Sequence, residues 1–241
     1  MRIHSHRPAV MSGIRLMESP AENVFLQRHP LSLVGCQMGR TVTVLRLTGG
    51  RLLIHSTADF SDEDIAAIRG LGEPAWLLEA TNFHDTLARH GRAAFPGIPY
   101  LVPPGFAAAD ALGAQAISSA ADEWGDEIEV IELDGMPKIR EHVLFHRPSK
   151  TLIVADLMFN LAPSASAWTK LFLRATAGLN HFPGTSRLFR FCIKDREAFR
   201  ESLHRITALD FERVVVAHGE AITTEAKPRF LAALEWADVG S

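Results

Sequence analysis

The sequence predicts an α+β protein in which two β-sheets pack together with helices outside them. Three observations carry this. Strand-like runs cluster from Thr41 to His55 and again from Glu127 to Leu157, with mixed helix and strand between and after, so no regular βαβ alternation is present. Several runs, such as Thr151-Leu152-Ile153-Val154-Ala155 and Arg213-Val214-Val215-Val216-Ala217, have the apolar content of buried strands. No linker rich in Pro, Gly or Ser divides the 241 residues, a length that suits one large domain. Residues 1–22 read as a loosely ordered leader and 23–241 as that single domain.

The elements follow in order. Val42, Val44, Leu45 and Leu47 are apolar within Thr41–Leu47, and Gly49-Gly50 turns the chain into Arg51–His55, a strong hairpin signal. Ser61 caps a helix that runs through Leu71, with Asp62, Glu63 and Asp64 in its first turn and Gly70 and Gly72 at its close. Ala75–Ala80 is a short buried strand, Thr81–His90 a loop and helix start, and Pro99–Val102 another strand. The Ala-rich segment Ala107–Ala121 reads as a helix. Glu127–Leu133, His142–Phe145 and Thr151–Leu157 read as strands. Ser164–Leu179 has Trp168, Leu171, Phe172 and Ala175 on one helical face, and Asp195–Leu209 repeats Phe199, Leu203 and Ile206 at helical spacing. Arg213–His218 is the last strand, and Glu225–Ala237 closes the chain as a helix, with Pro228 tolerated in its first turn.

Composition excludes several classes. Hydrophobic residues make up 47% and charged residues 22%, the balance of a globular protein with a substantial core. A net charge of −3 gives no reason to expect a nucleic-acid or anionic-membrane partner. No run approaches the ~18 apolar residues of a membrane span. The leader lacks an apolar signal core, and Cys36 and Cys192 form neither CxxC nor a disulfide framework. These features predict a cytoplasmic protein whose partner is a small molecule; they do not specify an oligomeric state. His4 and His6 form an HxH in the leader, where nothing preorganises a site.

There is no GxSxG elbow, P-loop or GxGxxG, so serine esterase, nucleoside triphosphatase and Rossmann dehydrogenase readings lose their support. What remains are histidines and acids near apolar runs: His55, His84, Asp156 and His218. Buried strands deliver the side chains that follow them to one sheet edge, and imidazole and carboxylate are the donors that hold zinc or iron. Other polar residues read more plainly. His142 and His146 lie on a strand as hydrogen-bonded or solvent-facing groups, and His90 and His204 as surface groups on helices. Trp124 and Trp168 read as packing residues, and Cys192 as a small buried hydrophobe. His181–Arg187 resembles a pocket-edge loop, and Arg187, Arg190 and Lys194 read as a solvated strand edge.

The hairpin ending Ile54-His55-Ser56-Thr57, the segment Leu77–Thr86, the turn Asp134-Gly135-Met136-Pro137, the strand ending in Asp156, and Val216-Ala217-His218-Gly219 occur in one order. That order resembles the metallo-β-lactamase-fold superfamily over about Asn23–Trp236, and looks most like a branch known only as a domain of unknown function. The resemblance implies a four-layer αββα sandwich of two mixed sheets with outer helices. It also implies a depleted metal site. The superfamily's His-x-His-x-Asp-His loop falls on Asn82–Leu87, where His84 alone stays in register. Met136 stands in place of the histidine of the Gly-His turn, and His55 in place of an aspartate. Asp156 matches the bridging aspartate and His218 the final histidine.

Two readings follow from the resemblance. In the first, His84, Asp156 and His218 hold one zinc, iron or manganese ion with a position left open for hydrolysis, and His55 or Asp85 supports them from behind. In the second, the fold survives without metal as a small-molecule-binding or interaction scaffold.

Overall fold

Strand alternation builds the layers here. The computed structural model describes residues 17–33, 35–162, 165–179 and 181–238. Its strands are β1 (Glu18–Ala21), β2 (Val24–His29), β3 (Ser32–Leu33), β4 (Cys36–Gln37), β5 (Arg40–Arg46), β6 (Arg51–His55), β7 (Glu73–Leu78), β8 (Tyr100–Val102), β9 (Ala114–Ala116), β10 (Ile128–Glu132), β11 (His142–His146), β12 (Thr151–Val154) and β13 (Arg213–Val216). Seven of them form one sheet in the order β1-β2-β5-β6-β7-β8-β9, four form a second in the order β10-β11-β12-β13, and β3-β4 is a small hairpin. Both large sheets are mixed: β5–β6 and β10–β11 pair antiparallel, β6–β7 and β12–β13 parallel.

Successive side chains point to opposite faces, so each central strand feeds two cores. Leu45, Leu53 and Leu78 meet Leu144, Ile153 and Val215 between the sheets. Val44, Ile54 and Leu77 face the other way, onto Ile68 of helix α1 (Asp62–Leu71) and Ala88 of α2 (Ala88–Ala94). Short helices α3 (Ala109–Leu112) and α4 (Ala167–Phe172) follow, then α5 (Arg187–Phe191), α6 (Arg196–Ala208) and α7 (Ala226–Ala233). Phe189 of α5, Phe199, Leu203 and Ile206 of α6 and Phe230 of α7 cover Val143, Leu152, Val154, Val214 and Val216. The result is the expected αββα order of layers.

Most expected elements are present. The β5–β6 hairpin closes through Gly49 and Gly50, both at positive φ (82° and 78°), which glycine adopts without a Cβ penalty. Ser61 and Asp64 cap α1 reciprocally, and Asp195 caps α6. β1 pairs with β2 from Glu18, within the segment expected as leader. The HxH of His4 and His6 lies outside the described residues.

Three expectations fail. Ala107–Ala121 is one helical turn followed by β9 and two 3-10 turns, because Gly113 at φ 60° ends the turn and residues 114–116 pair with β8. Pairing with a sheet edge outweighs alanine's helix preference, a weak bias per residue. Within Ser164–Leu179 the helix begins at Ala167 and passes into a π turn at Leu173–Ala177, and Trp168 and Leu171 on its expected inner face are exposed. Arg187–Phe191 is helix α5 and not a strand edge, because the Ser186 hydroxyl accepts the Phe189 N–H and starts a turn.

Gly219 follows the last expected site residue at φ 118°, and a Cβ there would run into the carbonyl of Asn160. Gly219→Ala should lower unfolding free energy by about 2 kcal/mol or more in a urea titration; a loss under about 0.5 kcal/mol would contradict the packing described. His146 is buried with Nδ1 at 2.6 Å from the Ser149 hydroxyl, and burial pulls its pKa below the ordinary 6.5. The folded state therefore binds fewer protons at this site than the unfolded chain, and its contribution to stability is lost as pH falls below 6.5. Between pH 7.5 and 5 the native protein should lose more stability than H146Q in urea titrations; equal losses would contradict burial of a neutral ring.

Candidate metal and substrate site

Parallel pairing of β12 and β13 in the register Val154↔Val216 brings both chains to the same rim. Asp156 and His218 stand two residues past those partners, so they leave the sheet side by side. His84 arrives from the other sheet, past the end of β7, on a loop tied across the molecule. Asn82 N–H and the Thr81 hydroxyl both donate to Ile139 O, and His84 N–H donates back to Thr81 O.

The three side chains converge. One donor atom from each of His84, Asp156 and His218 lies within 4.8 Å of the others. His84 Nε2 is 3.3 Å and His218 Nε2 3.7 Å from Asp156 Oδ1, and the two imidazoles meet edge to face at 5.4 Å. His218 Nδ1 donates to Gly39 O at 2.7 Å, so its Nε2 carries the lone pair toward the site. Phe159 stacks on the same ring at 5.1 Å. Asp156 Oδ2 is buried without a hydrogen-bond partner. Two imidazoles, one lone pair already directed inward and a spare carboxylate oxygen make a donor set that suits a divalent transition metal.

The protonation states agree with that use. Burial opposes ionisation of Asp156, but the His84 ring beside it, then His218 and Arg40, bring it down to about 2. Burial, then the His84 ring, pulls His218 down to about 4, against the attraction of Asp156. An ionised carboxylate and a neutral imidazole are the forms that ligate metal.

Asp156 is set in place by a group the sequence reading missed. Glu141 is fully buried, and its carboxylate accepts N–H bonds from Ala155, Asp156 and Leu157 at 2.8–2.9 Å. It thereby fixes the turn that projects Asp156. Burial, and next the Asp156 charge, push Glu141 up to about 8 against those three donors.

Glu79 and Arg40 were missed as well. Glu79 is fully buried, takes both the N–H and the hydroxyl of Thr57, and places Oε2 at 3.7 Å from His84 Nδ1. It ends the run Trp76-Leu77-Leu78, the same strand-end signal that singled out Asp156. Arg40 has no such signal, because nothing in Gly39-Arg40-Thr41 announces burial.

The remaining expected groups separate. His55 is buried behind the site among Arg40 and His84, and burial pulls its pKa down to about 3. Neither of its ring nitrogens has a hydrogen-bond partner, so it does not support the three donors through a hydrogen bond as expected. Asp85 is exposed and stands outside the three-donor group. Met136 is buried in the core under α6. Asn82 donates to Pro104 O, and Thr86 is exposed at the pocket margin. His142 and His146 are buried and hydrogen-bonded on β11.

A cavity of about 240 Å³ opens over the three donors. Arg40 is in its lining, and its walls are mostly apolar, with Met38, Phe83, Phe159, Leu188 and Phe189 among them. Ser186, at the end of the expected pocket-edge loop, also borders it.

Solved structures with this layering hold metallo-β-lactamases. DIM-1 metallo-β-lactamase exposed to ceftazidime aligns with TM-score 0.60 and 16% identity, covering 92% of this chain and 97% of that one. The fold here is the metallo-β-lactamase fold. A metallo-β-lactamase from Erythrobacter litoralis aligns with TM-score 0.61 and 14% identity over 92% of this chain and 91% of its own. One from Pontibacter korlensis gives TM-score 0.58 and 11% identity over 91% and 98%. No protein-family model and no curated protein matches the sequence. At these identities the metallo-β-lactamase likeness establishes architecture, and the chemistry rests on the chain's own residues.

Glu141→Leu keeps bulk but strands three buried N–H groups. It should cost about 3 kcal/mol or more of stability in urea; a change below about 1 kcal/mol would show that the carboxylate does not hold the turn.

Proposed function

We propose that this protein is a metal-dependent hydrolase with a mononuclear site, acting on a small molecule in the cytoplasm. The observation that carries the reading is the convergence of His84, Asp156 and His218 on one point, with Asp156 Oδ2 left without a partner. His84, Asp156 and His218 would hold a zinc, iron or manganese ion, which when bound supplies Lewis acidity and an acidified water. The chain's own contributions are separable. Gly39 O fixes the His218 tautomer, Glu141 aims Asp156, and Phe159 covers the outer face of His218. The apolar cavity walls shield a bound substrate from bulk water, which strengthens polar interactions inside.

Three protein donors fit one ion with a coordination position to spare, the usual arrangement of a catalytic site. The pair of free, buried cysteines, Cys36 and Cys192, fits a reducing compartment. Among the described residues no helix is long and apolar enough to cross a membrane.

A specific observation favours the second reading, a metal-free binding scaffold. Met136 is buried core, so one superfamily ligand position has been absorbed into packing. Metal analysis separates the two. Untagged protein incubated with zinc, iron or manganese should retain about one equivalent of one of them. D156A and H218A should each weaken retention at least tenfold and abolish turnover of ester or phosphoester reporters while still melting cooperatively. Retention below a tenth of an equivalent would leave the scaffold reading in its place.

A further inference from the structure

Among the described residues Arg40 is the one buried lysine or arginine, at 2% exposure. A buried guanidinium normally faces a carboxylate, because an uncompensated charge in a low dielectric is costly. Arg40 has none within ion-pairing distance. Its Nη1 donates to the Ser56 hydroxyl at 2.9 Å, its Nε is buried with no acceptor, and its Nη2 makes no hydrogen bond. The nearby Arg28 is already engaged, by Glu18 at 2.8 Å and by Gly219 O. Arg40 lines the same cavity as His84, Asp156 and His218, whose walls are largely apolar.

We propose that Arg40 is the seat of a substrate carboxylate, and that the site takes small amphipathic acids whose apolar body lies along Phe83, Phe159 and Leu188. Nη2, neither bonded nor sealed from solvent, can give a carboxylate oxygen a charge-assisted hydrogen bond. The cavity, about 240 Å³, is of a size for a small molecule and not for a polymer. The charge balance agrees. A divalent ion on the three donors together with Arg40 carries three positive charges against at most two on Asp156 and Glu79, so the loaded site favours an anionic guest. The proposal rests on the hydrolytic reading for its catalytic meaning, while the anchoring itself needs no metal.

Hexanoate, with eight heavy atoms, is the probe, titrated calorimetrically into chelator-treated protein and into zinc-loaded protein. Hexanamide tests the charge and acetate tests the apolar wall, both on the native chain. Metal-free native protein should bind hexanoate at least tenfold more tightly than hexanamide or acetate. R40M should lose that preference for hexanoate over hexanamide, and R40K should recover part of it. F83A should weaken hexanoate and leave acetate unchanged. Equal binding of hexanoate and hexanamide by the native protein would overturn the proposal without any variant, so misfolding of R40M cannot shelter it. Hexanoate binding that needs zinc and is the same in R40K and native protein would also overturn it, placing the carboxylate on the metal. Failure to retain zinc with charge-selective hexanoate binding intact would instead remove the hydrolytic reading and leave the anchor standing.

Discussion

The in-register parallel pairing of β12 and β13 is the constraint on which the site depends. It places the residues after Val154 and Val216 at one rim, so that a carboxylate and an imidazole emerge as neighbours. Everything else at the site refines that placement. Glu141 gathers the N–H groups of the Asp156 turn, and Gly39 O holds the His218 ring. The rim is stitched to the first sheet as well, since Thr41 N–H donates to Ala217 O at 2.8 Å and His142 N–H to Ala80 O at 2.7 Å. These cross-sheet bonds carry Arg40 and His84 to the point that Asp156 and His218 already define.

The site is polar machinery set into an apolar frame. Its inner wall holds more buried polar atoms than the protein satisfies: Arg40 Nε, Thr43 Oγ1, both nitrogens of His55, Glu79 Oε2, His84 Nδ1 and Tyr100 Oη. Arg40, His55, Glu79, His84 and Tyr100 act on one another electrostatically, so this part of the shortfall is clustered, while Trp124, Arg140, His146 and Trp236 hold single unpartnered atoms elsewhere. Buried polar groups are ordinarily paired with protein or ordered water. A concentration of exceptions behind a three-donor cluster is where local rules are expected to give way to a functional site.

The legible part of the fold was the part governed by local rules. Gly49-Gly50 fixed the hairpin, Ser61 and Asp195 fixed two helix starts, and apolar runs fixed the central strands. Asp156 and His218 could be singled out because strand ends aim side chains at a rim, and His84, on a loop past β7, through its register in the resemblance. Glu79 obeys the same rule and was legible in principle. Glu141 and Arg40 were not, since a buried acid at the start of a strand and a buried base at the start of another look like any surface charge in sequence. Ala107–Ala121 misled because composition speaks for helix while the edge of β8 offers a pairing partner that sequence does not display.

The central claim is that three side chains from two sheets share one ion. Anomalous diffraction from zinc-loaded crystals, collected on both sides of the zinc edge, tests it most directly. The account predicts a single peak within coordination distance of His84 Nε2, an Asp156 oxygen and His218 Nε2. A crystal whose zinc lies elsewhere, or two peaks bridged by Asp156, would contradict it.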